Sequence, residues 1–422
     1  MPPPGSPPPG PPAPPATSTA LALAFQLPVD LKSVGYEPGI AVDSTGALYI
    51  TAHKDLNRPD TWPYPGSFFA VSRDGGATWQ APTSPGQVHQ LFVGDEGDIG
   101  VDARGWVYFV DTYAADNHLH VWSDQGKTWQ LSQPIQKTTG ADDRPWVTAQ
   151  GSGIVHYLGN NGVEVNGGRH WYYRSTDAGV TWSQGAPIAG NGWSHIDAQR
   201  SGKNVYIANE GGGAGAPGDI LVYASHDQGA SFGSAVAAGK RAGPGREYPI
   251  VSAAEDDVAW VLWSDCGTAA NCADTGGADP TRVFVARTDD AGATWQSWDA
   301  TGALRAYIDY PTIAAGPNGT VAVAFYATTD LPISASSEWF LYAGMARALD
   351  ATPEFRFARA APEPVYKGND LHSLHDFFEI AIGPDETLHI GYQHTEGASS
   401  EDGLRRIFYA QGSPVAGSAS AS

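Results

Sequence analysis

One short pattern of hydrophobic and polar positions recurs along most of the chain. Each copy starts with a β-branched residue, passes through a turn of small or polar residues, and ends in a second apolar run. The seven β-branched residues, called anchors below, are Ile40, Ile99, Val147, Ile196, Val251, Ile313 and Ile380. Two short apolar runs separated by such a turn predict a pair of antiparallel strands. A third apolar run follows, for example at residues 68–71 and 220–223.

Five copies continue into a nearly constant octamer, at residues 72–79, 122–129, 175–182, 225–232 and 288–295. Its third residue is Asp, its fifth is Gly and its last is Trp or Phe. The carboxylate can accept hydrogen bonds from nearby amides, and glycine tolerates a positive φ. The closing aromatic ring can pack on a sheet. The octamer therefore predicts a turn between the third and fourth strands, and its repetition indicates a repeat architecture.

The residues that follow the anchors predict the shape of the assembly. They are Ala41, Gly100, Thr148, Asp197, Ser252, Ala314 and Ala381, and all are small. Small residues suit innermost strands that crowd around a central channel, and four antiparallel strands per repeat form one blade of a β-propeller. We therefore predict an all-β, seven-bladed propeller with four-stranded antiparallel blades.

The octamers resemble the Asp-box (BNR) repeats of the sialidase-like β-propellers. This resemblance implies the same fold, whereas the box itself is a structural device shared by proteins of many activities. The box carboxylates are accordingly expected to be structural. They belong to Asp74, Asp124, Asp177, Asp227 and Asp290.

Two copies are incomplete. The sixth lacks an octamer, and the seventh ends after residues 407–410 without a fourth strand. The apolar residues 21–27 could pair with 407–410, which would close the ring and leave no open sheet edge. Alternatively, residues 21–27 are the remnant of a secretion signal. We expect a Pro-rich disordered tether at 1–20, one propeller domain at 21–412 and a disordered tail at 413–422.

Composition and net charge limit the cellular location of the chain and the kinds of molecule that it could bind. The net charge of −21 argues against binding to nucleic acid, whose phosphates need a cationic surface. No apolar run approaches the roughly twenty residues of a membrane span. The two cysteines, Cys266 and Cys272, lie in one loop and suggest a local disulfide, with a metal pair as the weaker alternative. We therefore expect a secreted or cell-surface monomer.

Polar residues directly before the anchors predict a site at one mouth of the channel. If these residues ring the mouth, several repeats direct acidic, basic and aromatic groups at one ligand. The alternative is that they cap strand ends or pair with one another. The candidate catalytic residues are Asp98, Asp143, Glu247, Tyr310 and Asp376. The candidate substrate-binding residues are Glu37, Arg144, His195, Arg246, Tyr248, Asp309 and His375.

Carboxylates beside arginines and tyrosines suit glycoside hydrolysis. The sialidase resemblance implies a Tyr nucleophile activated by Glu, a role open to Tyr310 and Glu247 if they face each other. We predict a sialidase-like propeller that cleaves or recognises glycans; the alternative is a non-catalytic module that binds carbohydrate or protein. No cofactor is predicted, although Asp95 with Asp98, or Asp142 with Asp143, could bind Ca²⁺ through oxygens.

Overall fold

The computed structural model describes most of the chain. The described residues are 19–54, 67–83, 97–113, 116–135, 143–165, 168–190, 192–213, 215–245, 248–267, 279–349, 352–396 and 404–415. They form twenty-nine β-strands and short 3₁₀ turns at Pro317–Gly319 and Leu371–Leu374. Within these ranges there is no α-helix, which confirms the predicted all-β class.

Strands follow the repeat pattern of the sequence. The first three repeats comprise β3 (Val29–Val42), β4 (Leu48–Lys54), β5 (Phe68–Ser72), β6 (Gly97–Val101), β7 (Val107–Tyr113), β8 (Asp116–Ser123), β9 (Thr128–Pro134), β10 (Asp143–Gln150), β11 (Ile154–Val165), β12 (Gly168–Ser175) and β13 (Ala186–Ile188). The next two comprise β14 (Ser194–Ala198), β15 (Val205–Glu210), β16 (Gly218–Ser225), β17 (Val236–Arg241), β18 (Ile250–Ala253), β19 (Ala259–Asp265), β20 (Arg282–Thr288) and β21 (Gln296–Asp299). All pairings within these repeats are antiparallel.

The last two repeats borrow strands from the start of the chain. Their own strands are β22 (Tyr307–Ala315), β23 (Thr320–Thr328), β24 (Glu338–Arg347), β25 (Ala358–Arg359), β26 (Tyr366–Lys367), β27 (Ile380–Ile382), β28 (Leu388–Glu396) and β29 (Leu404–Pro414). The early strand β1 (Thr19–Leu21) pairs with β24, and β2 (Leu23–Phe25) pairs with β29. The first half of β3 also pairs with β29, whereas its second half pairs with β4.

This arrangement confirms closure by an N-terminal strand but changes its register. The sequence predicts that residues 21–27 pair with 407–410. Instead, Leu23–Phe25 pairs with residues 412–414, and Val29, Asp30 and Val34 oppose residues 406–409. A longer segment therefore closes the ring than expected. Because β3 joins the last repeat to the first, hydrogen bonding gives six sheets, and the count of seven blades stays a sequence prediction.

First strands of successive repeats surround a channel. Each of the strands β3, β6, β10, β14, β18, β22 and β27 contacts the next, and β27 contacts β3. The channel encloses about 560 Å³ and is lined by all seven small residues that follow the anchors. A Cβ on Gly100 would lie 3.1–3.3 Å from backbone atoms of the neighbouring repeat, which explains the requirement for a small residue there. The propeller prediction is thus confirmed.

Four octamers form the same hydrogen-bonded turn. In the fourth, the Ser225 hydroxyl donates to Asp227 Oδ1 (2.8 Å), while the Ser231 amide and hydroxyl donate to the same carboxylate at 2.9 and 2.6 Å. Gly229 has φ 76°, and a Cβ there would lie 1.9 Å from the Tyr172 hydroxyl oxygen of the preceding repeat. The glycine is therefore needed for both conformation and close contact.

The second octamer differs because Trp122 replaces the hydroxyl residue at its first position. Here Trp122 pairs with Trp129, and the turn between them has positive φ at Asp124, Gln125 and Gly126. Among the described residues, the only contact of the Asp124 carboxylate is an exposed 3.8 Å ion pair with Lys127, while the Asp124 carbonyl accepts the Lys127 amide at 3.1 Å. The expected capping by the box carboxylate therefore fails in this copy.

These two turn types give a matched test. The hydroxyl and amide of Ser231, with the Ser225 hydroxyl, lower the pKa of Asp227 to about 2. We expect Asp227→Asn to lower the free energy of unfolding at pH 7 by about 1 kcal/mol, because charge-assisted hydrogen bonds are lost in a turn that solvent screens. Because the folded pKa is depressed, this loss should shrink as pH falls from about 4 towards 2. Urea unfolding at several pH values would measure it. Asp124→Asn is the control and should change stability by less than about 0.5 kcal/mol.

Candidate functional site at the channel mouth

The residues one to five positions before each anchor, called the leading segments below, bring functional groups to one end of the channel. In three of them a residue followed by proline adopts positive φ: Glu37 (51°), Arg144 (48°) and Tyr310 (48°). Strand pairing shifts at all three places, which marks β-bulges. Positive φ is strained for such bulky residues, and bulges redirect side chains. In each of these three segments a residue-proline pair lies three positions before the anchor.

Glu37 lies at the centre of a buried acid–imidazole cluster. Its side chain is 5% exposed, and its Oε2 lies 3.3 Å from His53 Nε2. Oε1 accepts the Asp376 amide at 3.0 Å and lies 3.8 Å from His375 Nδ1. The cluster thus joins residues of the first and last repeats. Sequence reasoning identified Glu37, His375 and Asp376 but did not assign His53 to the site.

Both imidazoles in this cluster are neutral at physiological pH. Burial lowers the pKa of His53 well below its usual value, and the Arg144 charge acts in the same direction. Burial, with the nearby Arg405 guanidinium, lowers the pKa of His375 to about 3. Arg405 contacts His375 Nε2. Because a guanidinium only donates, Nε2 accepts and the proton resides on Nδ1, the nitrogen nearer Glu37.

Arg144 occupies the rim of the mouth. Its guanidinium forms an ion pair with Asp376, whose side chain is 33% exposed against 11% for Arg144. The guanidinium carbon lies 4.3 Å from the Trp193 ring centroid and 6.0 Å from that of Tyr248. Cation–π contact and the ion pair together fix the position of the charge. Four repeats therefore contribute to one amphipathic surface at this rim.

Aromatic rings form an apolar floor beneath the rim. Trp146 lies 5.0 Å from Phe377, 5.6 Å from Tyr248 and 4.7 Å from His195, measured between ring centroids. His195 is buried and hydrogen-bonded to the Val251 backbone, and burial lowers its pKa to about 3. It is thus a neutral part of the floor. Trp146 belongs to the same leading segment as Arg144, so one short segment supplies both rim and floor.

Asp98 lies below the mouth, on the channel wall. Its two oxygens accept the Ile99 and Val147 amides at 2.6 and 2.7 Å, so it joins the second repeat to the third. It is also hydrogen-bonded to Glu379, whose Oε2 accepts the Ile40 amide at 3.0 Å. Burial raises the pKa of Asp98 to about 6. Burial first, and then the Asp98 charge, raise the pKa of Glu379.

The remaining predicted residues divide into buried and undescribed positions. Tyr310 is buried, and its hydroxyl donates to the Leu371 carbonyl at 3.1 Å. Asp309 and Tyr248 are also buried. Arg246 and Glu247 lie outside the described residues, as does the side chain of Asp143. The geometry of the Tyr310–Glu247 pair and the roles of these residues stay predictions.

Some residues of the predicted disulfide and of the predicted calcium sites also lie outside the described ranges. Cys266 is buried, but Cys272 lies outside them. Asp95 and Asp142 lie outside them too, so the Ca²⁺ prediction stays open. Among the described residues, none of the helical segments is long and apolar enough to cross a membrane.

Comparison with known proteins identifies distant structural likenesses. No family model matches the chain, and no curated protein matches it significantly. The solved structures that resemble it include the α-L-arabinofuranosidase Arb93A of Fusarium graminearum (12% identity, TM-score 0.45, 95% of this chain and 99% of that one). They also include the NanB sialidase of Streptococcus pneumoniae (12%, 0.44, 92% and 70%) and an α-L-arabinanase of Penicillium chrysogenum (13%, 0.43, 94% and 99%). Because these TM-scores lie below 0.5, the activity must be argued from the residues of this chain.

Proposed function

We propose that this chain is a sialidase-like propeller that hydrolyses a glycoside at the channel mouth. The observation that carries the proposal is the convergence of Glu37, Arg144, Trp193 and Asp376, from four separate repeats, over one aromatic floor. Carboxylates with a guanidinium and aromatic rings match the needs of sugar binding and acid–base chemistry.

We assign Asp376 as the carboxylate that acts on the glycosidic bond. Glu37 is assigned to hold Asp376 in position. Asp376 is the more exposed carboxylate of the two, 33% against 5%, so it can meet a substrate. Glu37 accepts the Asp376 amide and thereby holds the backbone of that residue. Glycoside hydrolysis needs a second reacting group, and Glu247, Asp143 and Tyr310 are the sequence-predicted candidates.

The charge of the described rim favours a neutral sugar over a strongly anionic one. Arg144 and Arg405 balance Glu37 and Asp376, while His53 and His375 are neutral. Trp193 presents a ring that is partly exposed, and sugar rings pack on such apolar faces. We therefore expect neutral aryl glycosides to be better substrates than aryl sialosides.

The alternative is a non-catalytic glycan-binding module. Internal pairing favours it, because the Tyr310 hydroxyl donates to the Leu371 carbonyl and Arg144 is paired with Asp376. Groups already satisfied within the protein can support a binding surface without reacting. Export to the cell exterior, as the composition suggests, fits either role.

A substrate screen tests the proposal directly. Wild-type protein is assayed against neutral 4-nitrophenyl glycosides and an aryl sialoside, and is applied to a glycan array. For any substrate found, Asp376→Asn should lower kcat by at least roughly 100-fold, the usual scale for loss of an acid–base group. Its melting temperature should stay near that of the wild type.

The control for this variant is Asp227→Asn, the same substitution in a box turn, which should keep full turnover. Array binding that is lost in Arg144→Ala, without turnover of any compound, would favour the binding module. If the wild type shows no turnover and no binding to the array, the proposal is contradicted.

A further inference from the structure

A buried amide links the two leading segments that carry Arg144 and Trp193. Asn160 lies in β11, opposite the bulge of β10, and is buried. Its Nδ2 donates to the Arg144 carbonyl at 2.8 Å and to the Ser194 carbonyl at 3.3 Å. One side chain therefore joins the third repeat to the fourth.

The acceptor side of Asn160 is equally occupied. Oδ1 accepts the Ser194 amide at 3.0 Å, the Ser194 hydroxyl at 2.7 Å and His170 Nδ1 at 2.8 Å. The backbone partners fix the orientation of the amide, because the Arg144 carbonyl can only accept and the Ser194 amide can only donate. Neither a carboxylate nor a hydroxyl could make this set of bonds.

The contacts of Asn160 hold the backbone beside both rim residues, Arg144 and Trp193. Arg144 has a strained backbone with φ 48°, and its carbonyl is held by the Asn160 amide. Ser194 follows Trp193, whose own amide donates to Glu210 Oε2 at 3.2 Å. Trp193 in turn lies over the Arg144 guanidinium. Strained conformations persist where surrounding bonds determine them, and the bond from Asn160 to the Arg144 carbonyl is one of these.

We propose that Asn160 is a positioning residue of the mouth, which fixes Arg144 and Trp193 in one relative geometry. Its importance for a ligand rests on the proposed function, whereas its effect on Arg144 does not. Asn160→Asp keeps the shape but places an oxygen against the Arg144 and Ser194 carbonyls. The repulsion should release the leading segment of the third repeat and displace the guanidinium.

The experiment uses the full chain with ¹⁵N-labelled arginine. The Nε–H signal of Arg144, identified by its loss in Arg144→Lys, should shift or broaden in Asn160→Asp. Ser194→Ala removes only the hydroxyl bond and should give a smaller change of the same signal. The control is Asn204→Asp, because Asn204 is also buried but donates to Asp257 in another turn. It should leave the Arg144 signal unchanged.

Substrate kinetics provide the second readout, with the neutral 4-nitrophenyl glycoside found in the screen. Asn160→Asp should lower kcat/KM by roughly 10- to 100-fold, as expected when a binding group is displaced. Added to Arg144→Ala, it should lower kcat/KM little further, because both changes remove the same contact. Additive losses in the double variant would contradict the proposal.

The two readouts separate the two hypotheses. An Arg144 signal that is unchanged in both Asn160→Asp and Ser194→Ala would overturn the positioning role, whatever the kinetics. If Asn160→Asp does not fold, Ser194→Ala decides by the same signal. A wild type without turnover or glycan binding would contradict the proposed function alone, since the arginine signal still reports on Asn160.

Discussion

Arg241→Met should destabilise the protein by about 3–5 kcal/mol, the usual cost of removing one partner of a buried ion pair. Arg241 pairs with Glu210, and their side chains are 1% and 2% exposed. Arg241 Nε also donates to the Ser264 carbonyl at 3.0 Å. Among the residues that the structure describes, the variant would leave the buried Glu210 carboxylate with the Trp193 and Gly215 amides as its remaining donors. Urea unfolding at pH 7 would measure the loss.

The exposed pair Arg282–Asp299 supplies the control for this prediction. Its side chains are 59% and 31% exposed, so Arg282→Met should cost less than about 1 kcal/mol. Adding Glu210→Gln to Arg241→Met should restore part of the stability, because the unpaired charge is then absent. Equal losses of stability in Arg241→Met and Arg282→Met would show that the buried pair does not stabilise this part of the fold.

Glu379→Gln should stabilise the protein at pH 8 by more than about 1 kcal/mol, which is the free energy of one pKa unit, and have little effect at pH 4. Burial raises the pKa values of both Asp98 and Glu379 in the folded state, and the nearby Asp197 adds further negative charge. Their contribution to stability is therefore complete below the unfolded values near 4 and is lost as pH rises through the folded values. A neutral amide can still accept the Ile40 amide and can donate to Asp98.

Thermal unfolding of wild type and variant from pH 4 to pH 9 would test this difference. The exposed Glu363 offers a control, since Glu363→Gln removes one carboxylate without entering the channel. Its pH profile should follow that of the wild type. Parallel profiles for Glu379→Gln and the wild type would mean that burial does not raise the pKa values of this carboxyl pair.

The sequence predicts most of the fold because the signals for it are local. Anchors, small neighbours and octamers each occur within a few residues, and together they identify strands, turns and the channel. The exception is the octamer with Trp122, where a single missing hydroxyl changes the turn. The closing strand also pairs at a different register, since apolar content alone does not separate residues 21–27 from the neighbouring 29–34.

The site is less predictable because its contacts are distant in sequence. The polar residues before the anchors lead to the prediction of a site at the mouth, yet nothing near Arg405 or His53 indicates that each meets the same cluster. Asp98 appears in the sequence as one more polar leading residue, and only its pairing with Glu379 places it on the channel wall. The residue-proline pairs at Glu37, Arg144 and Tyr310 coincide with three bulges in the leading segments, which is a local signal present in the sequence.

The acid–imidazole cluster also straddles the seam at which the ring closes. Glu37 and His53 belong to the first repeat, while His375 and Asp376 come from the last, more than three hundred residues later in the chain. A growing polypeptide therefore has no complete mouth until its final repeat has docked. Any ligand that contacts both the first and the last repeat binds only the closed ring and therefore stabilises it against opening. Such a ligand would raise the free energy needed to separate the first repeat from the last.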